Sequence, residues 1–225
     1  DTFLPALAAF AVKGPGRDNV TVHHSFSFEG LRLMDLGKEV QRQGPWSIFR
    51  KGDSWIYRCS AEGHLFAVGV FSMDHARGWI YHRDSEPWVR GGLNSLSLPV
   101  TDQILLMRLL AERQGALIHS AGAVLDGRGY IFIGHSEAGK TTVTRLLEHE
   151  AEILCDDRNI VRRSAEGFRL FGTWSHGESP RVSAASAPLR AALFLKQSKE
   201  DRLLPRSDRR EIRRRLLACL IRGFD

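Results

Sequence analysis

The segment Gly134-His135-Ser136-Glu137-Ala138-Gly139-Lys140-Thr141 constrains this chain more than any other feature, because it fits the pattern GxxxxGK[ST] in full. Glycines at both ends let the backbone curl so that successive N–H groups face inward as an anion nest. A helix predicted to continue through Thr142 to Leu147 adds the positive end of its dipole. In such a loop Lys140 reaches the β- and γ-phosphates of a nucleotide, and the Thr141 hydroxyl can ligate Mg²⁺. A shuffled chain of this composition produces the pattern only roughly 0.6 per cent of the time. The apolar run Tyr130 to Ile133 supplies the strand that the motif needs in front of it. Gly134, Ser136, Glu137, Ala138, Gly139, Lys140, Thr141 and Thr142 are therefore the candidate nucleotide-binding residues, with ATP and Mg²⁺ as the expected cofactors.

A metal-side carboxylate is the next requirement. Glu152 to Cys155 reads as a strand ending in Asp156-Asp157. In a strand–helix–strand unit the second strand delivers its carboxyl end to the same sheet edge as the first. Neighbouring strand residues point to opposite faces, so the two acids are expected to do different jobs. One would hold Mg²⁺ and the other would face an incoming hydroxyl.

The rest of the chain sets the context. Its 225 residues carry 32 basic and 26 acidic groups, a formal charge of +6, and 43% hydrophobic residues. That composition excludes a disordered or collagen-like chain. The apolar run Leu4 to Val12 is about half of what a bilayer helix needs, so no membrane partner is expected, while the start at Asp1 is compatible with a removed upstream piece. Cys59, Cys155 and Cys219 are scattered and form no CxxC pair, which fits free thiols in a reducing, cytoplasmic compartment. Most of the excess positive charge lies in the last thirty residues. There Ile212, Leu216 and Leu220 recur among Arg209, Arg210 and Arg213 to Arg215, behind an apparent capping box from Asp208 to Glu211. An amphipathic helix with a solvated basic face accounts for this pattern; nucleic acid is the weaker reading.

Residues 1–100 predict a β-rich lobe. Val20 to Phe28, Leu31 to Leu36, Trp46 to Arg50, Trp55 to Cys59, His64 to Phe71 and Trp79 to His82 are strand candidates separated by tight-turn signals. Trp46, Trp55, Trp79 and Trp88 are expected in its core or at an interface, and the lobe is a candidate docking region for a substrate or partner. Residues 101–225 form the second predicted domain. A helix capped by Thr101 or Asp102 runs to about Gln114. A strand Ala116 to His119, a hairpin Ala123 to Ile133, the phosphate loop and its helix to His149 follow. Then come strands at 152–155, 159–163, 168–171 and 191–196, and the basic helix.

A hairpin immediately before the phosphate loop is unusual. Together with Leu117-Ile118-His119-Ser120-Ala121-Gly122, the loop at 134–142 and Leu154-Cys155-Asp156-Asp157-Arg158, it resembles the HPr kinase/phosphorylase family and its small relatives. Gly172 to Gly177 and Ser186 to Arg190 resemble further segments of those proteins, and the phosphate-loop core of phosphoenolpyruvate carboxykinase is a more distant likeness. The resemblance spans roughly residues 100 to 196. It implies an α/β fold, an α+β mixture with a mixed sheet around the phosphate loop, preceded by the small β-rich lobe.

The same resemblance implies an ATP- and Mg²⁺-dependent phosphotransferase acting on a serine-like hydroxyl of a small molecule, peptide or protein, and by analogy a homo-oligomer. Asp156 matches the acid that takes the hydroxyl proton, Asp157 or Thr141 the metal ligand, and His119 a histidine near the acceptor; with Lys140 these are the candidate catalytic residues. Glu137 stands where the family commonly has Gly, and an arginine-containing second signature is not recognised. Phosphorylase activity and HPr itself as acceptor therefore do not follow. Relatives also continue past the stretch Ile221 to Asp225, so further C-terminal sequence is expected.

Weaker signals surround these. His176 in a loop is a candidate contact to phosphate or substrate, and Arg158 and Arg190 are candidates to neutralise transferred charge, with surface ion pairing as their default. His135 lies in the loop without being required by it. His23 and His24 are strand neighbours on opposite faces and make a poor metal pair. Two readings compete with the phosphotransferase: a non-catalytic nucleotide-binding regulatory module, and an NTPase that holds nucleic acid on the basic helix.

Overall fold

Alternating apolar residues organise residues 11–109 into a sheet of six strands. A computed structural model describes residues 5–31, 34–89, 95–98 and 102–222, the side chains of 87 and 88 excepted. The strands are β1 (Thr21–Ser25), β2 (Lys38–Gln43), β3 (Trp46–Lys51), β4 (Ser54–Ala61), β5 (His64–Ser72) and β6 (Arg77–His82), in the order β1-β6-β5-β4-β3-β2. β2 to β6 form an antiparallel meander, and β1 adds to β6 in parallel. Period-two alternation sends Trp46, Ile48, Tyr57, Cys59, Ala67 and Phe71 to one face, where Leu98 and the helix residues Ile104 and Leu105 pack on them. Phe49, Ile56 and Val68 go to the other face, against Leu31, Leu36 and Leu65.

Several expectations for this region change. Leu31 to Leu36 is not a strand: Glu29–Leu31 is a 3-10 turn, residues 34–36 have no regular structure, and 32–33 lie outside the described residues. The edge strand β2, Lys-Glu-Val-Gln-Arg-Gln, has one apolar residue and so carried no alternation to read. Trp46 is buried and Trp55 partly so, whereas Trp79 is half exposed and stacks on His23. The Thr101 cap and the Trp88 side chain lie outside the described residues. Asp102 is described, and its carboxylate accepts from the backbone N–H groups of Leu96 and Ser97 just before the helix.

The second unit comprises residues 5–10 and 110–222. Its elements are α1 (Pro5–Ala8), β7 (Gly115–Leu125), β8 (Arg128–Ile133), α4 (Lys140–Leu147), β9 (Glu152–Cys155), β10 (Arg158–Ser164), β11 (Gly167–Phe171), β12 (Ser186–Phe194) and α5 (Arg209–Cys219). Between β6 and β7 in chain order stand α2 (Glu86–Val89) and α3 (Gln103–Glu112). β7 pairs with β8, β8 with β12, β12 with β11, β11 with β10, and β10 returns to β7. Five strands thus close on themselves, which leaves no free edge among them. Ile118, Ile131, Ile133, Leu154 and Leu170 fill the core, and Cys219 packs there from α5.

This architecture corrects the α/β phosphate-loop kinase core that the HPr-kinase resemblance implied. The described residues are 40% strand and 18% helix, with a closed five-stranded barrel and a second sheet. The physical reason lies in the connections. Between residues 115 and 194 only α4 is a helix; β7–β8 and β10–β11 are joined by tight turns, and every neighbouring pair except β8–β12 is antiparallel, which is barrel topology rather than repeated strand–helix crossovers. The two strands expected at 116–119 and 123–125 are also one continuous strand, β7.

Candidate functional site

The phosphate-loop sequence connects β8 to α4, as its apolar and helical flanks dictate. Gly139 sits at the helix N-cap with φ of 102°, a left-handed conformation suited to glycine, and no side chain caps the helix there. The first-turn amides of α4 are therefore left for an outside acceptor. Gly134 is equally constrained, since a Cβ there would come within 2.5 Å of the Ala138 Cβ. Glu137 also adopts positive φ, 66°. Its backbone carbonyl accepts from Gln197 Nε2 at 2.7 Å, while its side chain is exposed.

Lys140 is buried and uses all three N–H groups of its ammonium. They donate to the carbonyls of Gly134 (3.0 Å) and His135 (2.9 Å) and to Nε2 of His119 (2.9 Å). An ammonium can only donate, so His119 accepts at Nε2 and carries its proton on Nδ1. That Nδ1 stands 3.0 Å from Asp157 Oδ1. The second Asp157 oxygen lies 3.3 Å from Arg158 Nη1, which also donates to Ser175 Oγ at 2.6 Å. Burial pushes the Lys140 pKa down, opposed by the charges of Asp157 and Asp156. Burial alone would raise Asp157, but the hydrogen bond from His119 and the charges of Arg158 and Lys140 hold its carboxyl below the usual range.

Asp156 turns elsewhere. It is 2% exposed, and its oxygens accept from the backbone N–H groups of Gly177 (2.7 Å) and Ser179 (2.9 Å). Thr141 Oγ1 donates to Asp156 Oδ2 at 3.4 Å. The acid beside the Thr141 hydroxyl is thus Asp156, and the acid beside His119 and Lys140 is Asp157. β8 and β9 run the same way with β7 between them, so both acids arrive next to the loop. Asp156 and Asp157 occupy the short break between β9 and β10, both of which pair with β7, and Ser120 N still bonds Asp157 O across it.

Other candidates divide. His176 is half buried in the loop that Asp156 holds, with Nδ1 3.1 Å from Gly177 O. His135 contributes its carbonyl rather than its ring to Lys140. Thr142 is exposed on the first turn of α4, and Ser136 is exposed in the loop. Arg190 does not join the group: it sits at the irregular step in β12 beside Gly129 and Tyr130 of β8, about 13 Å of strand before Gly134. His23 and His24 diverge, His24 Nδ1 meeting His82 Nε2 at 2.9 Å.

Three contributors carried no motif. Asn159 is fully buried and its Nδ2 bonds the carbonyls of Ser120 (2.7 Å) and Cys155 (3.2 Å), tying both sides of the strand break together. The backbone of 177–179 holds Asp156, and Gln197 holds the phosphate loop. In the sequence Asn159 follows Asp156-Asp157-Arg158 with no pattern of its own.

The uncapped helix amides and the Thr141–Asp156 pair fit a nucleotide phosphate with Mg²⁺, and Lys140 would join them by exchanging one of its three bonds to Gly134, His135 and His119 for a phosphate oxygen. Mg²⁺ sites use one or two carboxylates and complete their shell with phosphate and water. Among the described residues, no cluster of three metal-ligating His, Cys, Asp or Glu side chains exists.

Residues 96–212, just over half of the chain, match a protein family described as SynChlorMet cassette protein ScmC. No curated protein matches the sequence. The family match overturns the resemblance to the HPr kinase/phosphorylase family over the same stretch. That resemblance rested on short local patterns, a phosphate loop and an acidic pair, which recur on unrelated frameworks.

Proposed function

We propose, for a chain that belongs to the SynChlorMet cassette protein ScmC family, that the second unit binds ATP with Mg²⁺ and transfers a phosphoryl group to a serine-like hydroxyl. The observation that carries this reading is the joining of Lys140, His119 and Asp157 on one side of the loop, with Thr141 and Asp156 on the other. Bound Mg²⁺–ATP would supply the transferable phosphoryl group and neutralise charge on it. Lys140 and the first-turn amides of α4 hold the phosphates. Thr141 and Asp156 would hold the cation, which exchanges the roles that the resemblance implied for the two acids. Asp157, oriented by His119, would align the acceptor hydroxyl and take its proton as the new O–P bond forms and the bond to the leaving nucleoside diphosphate breaks. Arg158 and Ser175 fix the Asp157 carboxylate in place. Three buried thiols support a cytoplasmic location, and among the described residues no helix is long and apolar enough to cross a membrane.

A regulatory nucleotide-binding module is the second reading. It is favoured by Asp156, whose carboxylate is already engaged by two backbone amides and a hydroxyl. Labelled ATP, Mg²⁺ and serine-bearing acceptors separate the two. The phosphotransferase reading expects label on an acceptor, loss of nucleotide binding in Lys140→Ala, and transfer reduced about 10²–10⁴-fold in Asp157→Asn with nucleotide still bound. Binding without transfer to any acceptor selects the module. Absence of nucleotide binding overturns both.

A further inference from the structure

Helix α5 presents two unlike faces. One is docked: Cys219 is buried, Leu216 and Leu220 pack into the barrel core, and Ile221 N donates to Leu117 O of β7. The opposite face is exposed and strongly basic. Arg210, Arg213, Arg214, Leu217, Ala218 and Arg222 line a shallow groove of about 430 Å³. The spacing 210, 213, 214, 217 is one helical stripe.

The acid within α5 does not neutralise that stripe. Glu211 is engaged by Arg206 and Arg215. Among the described residues, Arg210, Arg213 and Arg214 form no ion pair, and Leu217 stands 43% exposed between them and Arg222. Like charges at such spacing work against the helix, so the stripe is a cost that a ligand of opposite charge would relieve.

We propose that this face docks an acidic peptide segment whose carboxylates meet the arginines and whose leucine-like side chain covers Leu217 and Ala218. The apolar floor and the short length of the groove select this occupant. A polynucleotide gains from a longer basic track without an apolar floor. Membrane insertion needs an exposed apolar helix face, and that face of α5 is already packed against the barrel.

The test is fluorescence anisotropy on the whole chain with a labelled peptide of repeated Glu-Glu-Leu, the same peptide with Ser for Leu, oligo(dT), and phosphatidylserine vesicles as competitors. The Glu-Glu-Leu peptide is expected to bind with salt-sensitive affinity. Binding should fall on the order of tenfold in R210E/R213E/R214E, and several-fold in Leu217→Ser or with the Ser peptide. Arg213→Gln and Leu217→Ser carry the same comparison if the triple variant does not fold. No peptide binding, equal binding by the variants, or tighter binding of oligo(dT) or vesicles would overturn the proposal.

Discussion

Lys140, Asp157 and Asn159 show how a polar cluster is kept intact inside a strand-rich unit. The Lys140 ammonium meets two carbonyls and His119, His119 meets Asp157, and the Asn159 amide spans Ser120 and Cys155. The last of these acts through position alone. Asn159 holds β7 against the break at which the two acids stand, and Gly122 must be glycine beside it, because a Cβ would lie 2.4 Å from Asn159 Oδ1. Asn159→Ala leaves two buried carbonyls without that donor and is expected to lower stability by about 1–3 kcal/mol. Urea denaturation of wild type and variant measures this, and an unchanged midpoint would show that the amide is not holding the strand break. Among these residues, the lysine and the acids were legible because their chemistry demands fixed spacing. Asn159 was not, because its role is defined by a strand that lies forty positions away in the chain.

Strands with strong alternation, such as β3, β4 and β5, announced themselves, and so did the loop-to-helix transition at α4. The strand that sequence reasoning missed was β2, a polar edge strand whose partner rather than its own residues makes it a strand. Barrel closure was equally invisible. It depends on β10 returning to β7, a long-range pairing that no local pattern encodes. α5 lies at the legible end, since its cap and basic stripe are both local. Asp208 is its N-cap and accepts from Arg210 N at 2.8 Å, while Glu211 turns to Arg206 and Arg215 instead of completing a capping box. Asp208→Ala should cost about 0.5–2 kcal/mol of helix stability. Amide exchange at Arg210 and its neighbours is expected to quicken while exchange in the barrel strands stays slow. Equal protection in both proteins would mean that packing on β7, not the cap, holds the first turn.

Two sheets built on different principles share this chain, and acid should tell them apart. In the meander of residues 11–109, His75 is 4% exposed and its Nε2 lies 2.6 Å from the Tyr57 hydroxyl. Burial, reinforced by the charge of Arg108, pushes the His75 pKa down to about 4, and burial together with His24 does the same to His82. In the unfolded chain a histidine titrates near 6.5. Between those values the unfolded state binds the extra proton, so the contribution is fully present above about pH 6.5 and is lost as pH falls toward 4. For His75 the difference amounts to about 3 kcal/mol. Trp46, Trp55, Trp79 and Trp88 all belong to this unit, so tryptophan fluorescence reports chiefly on it. Urea midpoints followed by fluorescence are expected to drop steadily from pH 6.5 to pH 4. Tyr57→Phe combined with His75→Phe removes both members of that hydrogen bond together and should flatten much of that slope. The slope would then persist only as far as His82 and its neighbour His24 sustain it, and an unaltered slope in the double variant would show that the buried tyrosine–histidine pair is not the acid-sensitive element of the meander.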